Sequence, residues 1–446
     1  MEDSITYIGN REVWGGEQPF GFSTSDRRQH CYVIGQTGTG KSTLLKNLIL
    51  QDIEAGRGVA VLDPHGDLAN DLLNHYPTHR ADDLVWFDPS DLDHPIAFNL
   101  LASVPNDSRH LVASGIVGAL KSIWRESFGP RMEYILYATV LALLDCGRPN
   151  ISLLSVQRML SDDHYRRWIV RGVKDPVLKS FWVNEFEEYD DRFRKEAVAP
   201  IQNKVGQILL SPPIRLMFGQ IKSKLDLRYV MDHRKVLIAN LSKGLLGEDK
   251  SNLIGALLVA QFQQAAMSRA NASADERVPF YLYIDEFQNF GSDLIQSVLS
   301  ESRKYVLSLT VSHQYLEQLT EETRNAVFGN VGNLISFRVG QADAGMLSRT
   351  FGDAFIPEQF TSLSNHHVLV RNLRQNDITA PFRGTTEPFA SRPHNRREKL
   401  RRRSRERFTT PRQVVEDRIR RWMAPKSKAA EDRHVFEKHR RAAKSA

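Results

Sequence analysis

Nine residues, Gly35-Gln36-Thr37-Gly38-Thr39-Gly40-Lys41-Ser42-Thr43, constrain this chain more than any other stretch. They follow the apolar run Cys31-Tyr32-Val33-Ile34 and lead into Leu44-Leu45-Lys46-Asn47-Leu48, which continues at helical spacing. Strand, Gly-rich loop and helix in that order are the context a phosphate loop requires. The glycines let the backbone curl until its N–H groups converge on a phosphate at the positive end of a helix. Gly35, Thr37, Gly38, Thr39, Gly40, Lys41, Ser42 and Thr43 are therefore expected to cradle a nucleoside triphosphate. Lys41 would neutralise β/γ-phosphate charge, and the Ser42 hydroxyl would hold Mg²⁺.

Two apolar runs follow: Gly58-Val59-Ala60-Val61-Leu62, ending at Asp63, and Leu84-Val85-Trp86-Phe87, ending at Asp88. Near-continuous apolar strands separated by helical stretches predict an α/β fold with a mostly parallel sheet covered on both faces. Residues 105–213 lack strand-like runs and show helical periodicity, as in Met132, Ile135, Leu136, Val140 and Leu143, punctuated by Pro149, Pro176 and Pro200. They read as an all-α insertion into a sheet domain made of 31–104 and 214–385. Phe181, Trp182 and Phe186 read as core aromatics. The Arg192-Phe193-Arg194-Lys195 cluster reads equally as a solvated helix face or as a phosphate contact. Residues 1–30 read as a lead-in of turns, with Gly15-Gly16 and Pro19 among the signals.

Strand alternation resumes at Lys235–Leu241. Phe280-Tyr281-Leu282-Tyr283-Ile284 then ends in Asp285-Glu286, an apolar strand delivering two carboxylates. With a phosphate loop upstream this is a Walker B pattern: Asp285 would hold the Mg²⁺ shell and Glu286 would orient or deprotonate the attacking water. Asp63 and Asp67 are the reserve candidates for that base. A further strand, Ser308–Val311, delivers Ser312-His313-Gln314, and Gln314 would sense the γ-phosphate or the lytic water. Arg303 reads either as an arginine finger supplied to a neighbouring subunit or as a surface Arg beside Lys304. His313 has no His or Cys at ligand spacing, so no metal site is assigned to it.

Charge is uneven. Residues 391–446 carry 20 Lys/Arg against 7 Asp/Glu, a net of +13, which leaves the other 390 residues at −6. The basic excess belongs to the tail, residues 386–446. Its run over 391–407 reads as solvated or as a grip on phosphates by counterion release. A short amphipathic helix follows, capped by Thr410 with Pro411 at its first position and striped by Val415, Ile419, Trp422 and Met423. Two cysteines, Cys31 and Cys146, exclude a disulfide framework. No apolar run approaches the ~18–20 residues of a membrane span, and Met1-Glu2-Asp3-Ser4 shows no signal-peptide pattern. A soluble, cytoplasmic protein is expected.

Four separated motifs then match a family in its order: Ile34–Ser42, Val61-Leu62-Asp63-Pro64-His65-Gly66-Asp67, Tyr283-Ile284-Asp285-Glu286-Phe287, and Arg303-Lys304-Tyr305 with Ser312-His313-Gln314. Over about residues 25–385 the chain resembles the HerA/FtsK superfamily of DNA-pumping ATPases, and within it the conjugative coupling proteins of type IV secretion (TraG/TraD-like). The resemblance implies a RecA-like fold with an inserted all-α domain, ATP and Mg²⁺ as cofactors, and a ring, usually hexameric, that moves DNA. It also implies relaxase-type or secretion-channel partners. Lys41, Ser42, Asp285 and Glu286 take the Walker roles, Gln314 the sensor role and Arg303 the finger role. Coupling proteins usually begin with transmembrane helices, which this sequence lacks, so two alternatives stand: a soluble relative recruited to the inner membrane by a partner, or a cytosolic DNA translocase serving another system. Two other classes compete: an NTP-binding switch, for which Asp63-Pro64-His65-Gly66 fits D-x-x-G but no N-K-x-D follows, and a DNA-binding scaffold with structural ATP.

Overall fold

The structure is a computed structural model describing residues 4–424 except 103, 375–376 and 391–392. The strands are β1 (Ile5–Val13), β2 (Gly16–Ser23), β3 (Cys31–Ile34), β4 (Gly58–Asp63), β5 (Leu84–Phe87), β6 (Val236–Asn240) and β7 (Phe280–Ile284). Then come β8 (Leu307–His313), β9 (Asn333–Ser336), β10 (His367–Arg371), the short pair β11 (Leu373–Arg374) and β12 (Asp377–Ile378), and β13 (Phe382–Thr386). All but β11 and β12 form one sheet in the order β2-β1-β13-β10-β9-β3-β8-β7-β4-β6-β5.

From β9 to β5 every pairing is parallel, and from β9 outward to β2 every pairing is antiparallel. The parallel strands β3, β4, β6, β7 and β8 are buried along their whole length. That is why they read as unbroken apolar runs rather than alternating ones. Their side chains split between two cores. Tyr32, Ile34, Ala60, Leu62, Leu282 and Ile284 face one. Val33, Val59, Val61, Tyr281 and Tyr283 face the other, with Leu44, Leu45, Leu48 and Ile49 of the Lys41–Glu54 helix.

Among the described residues every element between Asn106 and Asp232 is helical. This stretch joins the sheet through the first core, chiefly by the Arg109–Ile123 helix against the Glu248–Met267 helix. Phe181, Trp182 and Phe186 are core, at 7%, 1% and 0% exposure. Pro200 does not end a helix; it lies inside Asp191–Leu210. A mid-helix Pro costs about 3 kcal/mol, and the buried stripe Ala197, Val198, Ile201, Val205, Ile208 and Leu209 offsets it.

Two segments depart from the sequence reading. The first thirty residues are not a run of turns: β1 and β2 form a hairpin that widens the sheet, with Gly15-Gly16 as its tip. Pro19 sits in β2, where an edge strand tolerates it. Gly9 marks a bulge in which a Cβ would meet Thr385 O at 1.9 Å.

The basic tail differs as well. Arg397–Phe408 and Arg412–Met423 are helices, and the second starts one residue later than expected, with Pro411 rather than Thr410 at the cap. The first helix lies along β5, and Ser404 Oγ accepts the Trp86 N–H at 2.8 Å. Its arginines pair with the acidic body: Arg403 with Asp82, and Arg405 with Asp91 at 2.7 Å. The second helix buries Val415 and Ile419 against the helical stretch, and Trp422 Nε1 donates to Asn150 O at 3.0 Å. The remainder of the tail, from 425, lies outside the described residues.

Candidate nucleotide site

Register alone brings the motifs together. β3 lies beside β8, β8 beside β7 and β7 beside β4, with Ile34 opposite His313, Val311 opposite Ile284 and Ile284 opposite Leu62. The residues just past these strand ends therefore share one edge of the sheet, where open parallel sheets bind ligands. They line a cleft of about 640 Å³ formed by Thr37, Gly38, Gly40, Lys41, Ser42, Thr43, Asp285, Glu286 and Gln314 together with Asp63 and Asp67.

The loop is held open from beneath. Gly35 and Thr39 do not line the cleft: Gly35 packs on Phe337, and Thr39 is buried with its hydroxyl donating to Gln36 O at 2.7 Å. Gly40 has φ +121°, and a Cβ there would meet the His366 ring at 2.8 Å. His366 donates its backbone N–H to Thr39 O at 2.8 Å and also lines the cleft. Nothing in the sequence pointed to His366; it arrives from the strand β10 side, more than three hundred residues downstream.

Lys41 is buried, and its ammonium donates to Gly35 O at 2.5 Å and Gln36 O at 3.3 Å. Burial pulls its pKa down, opposed by the nearby charges of Glu286 and Asp285. An ammonium already facing two carboxylates and loop carbonyls is set to meet an anion entering the loop.

The acidic pair is divided by its backbone. Asp285 accepts the Ser312 hydroxyl and, at 3.1 Å, the Glu286 N–H. Glu286 has left-handed backbone, φ +46° and ψ +56°, and its carboxylate bonds different partners from that of Asp285. Glu286 Oε1 accepts from Gln314 Nε2 at 2.9 Å, and Gln314 Oε1 accepts from Thr37 Oγ1 at 3.2 Å. Gln314 thus bridges the phosphate loop and the candidate base. Ser312, given no role of its own by the sequence, alternates with His313 along β8 and so points to the acidic pair. His313 is buried beneath, bonded to Tyr32 Oη at 3.2 Å, and burial drops its pKa to about 4.

Asp63 has a different task from that of a base. It is fully buried, and its two oxygens accept the His65 and Ala69 N–H groups at 2.9 Å each, capping the Asp67–His75 helix. Burial raises its pKa, opposed by these backbone bonds. Asp67 is exposed in the first turn of the helix.

Arg303 is not brought to this cleft. It precedes β8, at the amino-terminal edge of the sheet, the seven residues of β8 (~20 Å of strand) from Gln314. Among the described residues no group of three or more His, Cys, Asp or Glu could hold a metal by itself. A hydroxyl and a carboxylate, Ser42 and Asp285, are among the hard oxygen donors that line the cleft.

Residues 15–122 match the family model described as "Helicase HerA, central domain", and residues 279–387 match "TraM recognition site of TraD and TraG". No relative was found among curated protein sequences. Solved structures are similar throughout their length. The bacterial conjugative coupling protein TrwBdeltaN70 is 14% identical, covering 89% of this chain and 96% of its own, with a TM-score of 0.61. The plasmid coupling protein TrwB in complex with ADP and Mg²⁺ is 14% identical, covering 89% and 98%, with a TM-score of 0.62. VirB4 of Thermoanaerobacter pseudethanolicus is 13% identical, covering 88% and 97%, with a TM-score of 0.53. At such identities these likenesses speak for the fold, and the two family matches fall on the segments that carry the loop and the acidic pair. The two matched segments are thus similar to a HerA central domain and to the TraM recognition site of TraD and TraG, and the chain shares the RecA-like P-loop fold of the conjugative coupling protein TrwB.

Proposed function

We propose that this chain is an ATP-hydrolysing DNA motor of the coupling type, acting as a ring, with Mg²⁺ as the metal. The observation that carries the reading is the convergence of Lys41, Ser42, Asp285, Glu286 and Gln314 on one cleft. TrwB, which shares the fold, has been seen with ADP and Mg²⁺ and with the ATP analogue ADPNP. Ser42 and Asp285 would hold the ion, whose positive charge would offset that of the phosphates. Lys41 neutralises phosphate oxygens, Glu286 aligns a water and draws on its proton, and Gln314 reports to Glu286 through Thr37 whether the loop is filled.

We assign Arg303, which lies away from the cleft of its own chain, the finger role toward the cleft of a neighbouring copy. The match at 279–387 supports partners of the relaxase or secretion-channel kind. Among the described residues no helix is long and apolar enough to cross a membrane; recruitment to the inner membrane by a partner is part of the proposal.

The test is ATP hydrolysis with and without single- and double-stranded DNA, across salt and protein concentration. The expected result is turnover that DNA stimulates, that salt weakens, and that rises more than in proportion to protein as rings assemble. Absence of ATP turnover under all these conditions overturns the reading.

A further inference from the structure

Glu286 is held from two sides, and only one of them belongs to the nucleotide loop. Its Oε1 is taken by Gln314, which reaches Thr37. Its Oε2 accepts from Gln288 Nε2 at 3.0 Å, and the same amide group donates to Gln318 Oε1 at 3.2 Å. Gln318 ends the short 3₁₀ turn Leu316–Gln318 just past β8. The turn is anchored underneath by Asp343, which receives the Leu316 N–H at 3.2 Å. Its outer face is open: Tyr315 is 46% exposed, and Glu317 and Gln318 are exposed. Glu286 itself sits in left-handed backbone, a conformation a non-Gly residue keeps only where its surroundings over-determine it. Asn289 supplies part of that grip, donating its backbone and side-chain N–H groups to Glu286 O at 3.1 and 2.8 Å.

We infer that Gln288 and Gln318 are positioning residues that latch Glu286 to the exposed Tyr315–Gln318 turn, so that DNA meeting this turn sets the rate of hydrolysis. The inference rests on the motor reading above. A carboxylate with both oxygens occupied by amide donors pulls weakly on a water proton. Moving the turn withdraws Gln318, lets Gln288 rotate, and frees Oε2 to face the water. An exposed aromatic beside the latch is the kind of group on which a nucleic-acid base stacks. The cleft end of the latch reports on nucleotide through Thr37, and the outer end reports on the track.

The test compares steady-state ATP hydrolysis by the full chain, without and with DNA, for wild type, Gln318→Ala and Gln318→Glu. Gln318→Ala removes the acceptor for Gln288; Gln318→Glu keeps one. The expected result for Gln318→Ala is an unstimulated kcat raised about threefold or more, KM for ATP unchanged, and a compressed ratio of DNA-stimulated to unstimulated rate. Gln318→Glu should restore the wild-type ratio. The latch is overturned if Gln318→Ala keeps both wild-type rates, if it alters KM alone, or if Gln318→Glu behaves like Gln318→Ala. A wild type that hydrolyses ATP but ignores DNA overturns the coupling to the track. A wild type with no ATP turnover fails the motor reading and the latch with it, whereas an active wild type with an indifferent Gln318→Ala fails the latch alone.

Discussion

Lys41 and Glu286 do separable work, and their variants should separate it. Lys41→Ala leaves the loop without the cation that faces the acidic pair, and turnover should fall by about a hundredfold or more. Glu286→Gln keeps the shape and the hydrogen-bonding reach of the side chain but not its basicity, so it should bind ATP at near wild-type affinity without hydrolysing it. Nucleotide binding measured beside phosphate release checks both. Turnover by Glu286→Gln at the wild-type rate would remove the base assignment, and Asp63, committed to capping, would be a poor successor. A second residue-scale effect comes from His30. Its Nδ1 accepts the Leu309 N–H at 3.0 Å while Nε2 bonds Leu299 O at 3.1 Å, an arrangement that requires the neutral ring. Burial accordingly drops its pKa to about 4. The unfolded chain takes up a proton below about pH 6.5 that the folded chain refuses until about pH 4. Stability should therefore fall on acidification through that window, by up to about 1.4 kcal/mol per pH unit for each such histidine. His313 adds a second. In urea melts between pH 7 and 5, His30→Gln should show a shallower slope by one proton.

At the scale of elements, the hairpin, the phosphate-loop helix and β7 are pinned by one buried cluster. Arg27 donates to both Asp52 oxygens at 2.6 and 2.7 Å, Arg57 donates to Asp52 at 2.5 Å, and Tyr283 Oη donates to Asp52 at 2.6 Å. Arg27 also donates to Thr6 of β1 and stacks over the Tyr281 ring. Asp52→Ala strands a guanidinium that is only 5% exposed and should cost about 3–5 kcal/mol, read from urea unfolding. Arg57→Ala should cost less, because its site is partly open to water. None of this was legible in the sequence. Asp52 falls at helical spacing among apolar residues and looks like a solvated position; its partners lie 5, 25 and 231 residues away. The hairpin was hidden for a related reason: Gly9, Gly15, Gly16 and Pro19 are turn residues by composition, and only pairing with β13 makes strands of their neighbours. The parallel strands were legible because burial on both faces leaves a pattern each strand carries by itself. So were Lys41, Asp285, Glu286 and Gln314, which follow those strands directly. Register was not, and with it the placement of β8 between β3 and β7 that lets Gln314 touch both Thr37 and Glu286.

For the whole molecule, Arg303 and Lys41 lie at opposite edges of one sheet, which makes a complementation test decisive. Lys41→Ala and Arg303→Ala chains should each be inactive alone. Mixed, they should regain a fraction of the wild-type rate, of order a tenth to a quarter, because some interfaces then pair an intact Lys41 with an intact Arg303. An Arg303→Ala protein with full activity by itself would return this residue to the surface.

The basic tail teaches something about charge at this scale. An excess of positive residues read as a reach for phosphates is, over 397–412, partly turned inward: Arg403 and Arg405 pair with Asp82 and Asp91 of the body, Arg397 and Arg401 bond Asn70, and Ser404 bonds the rim strand β5. Ser404 occupies the Trp86 N–H, so β5 has nothing there to offer a second sheet. Copies of this protein are thereby denied growth by zipping strand onto strand at that border. At that border, any meeting of copies is left to side chains, because the backbone group that would pair with a further strand is already taken.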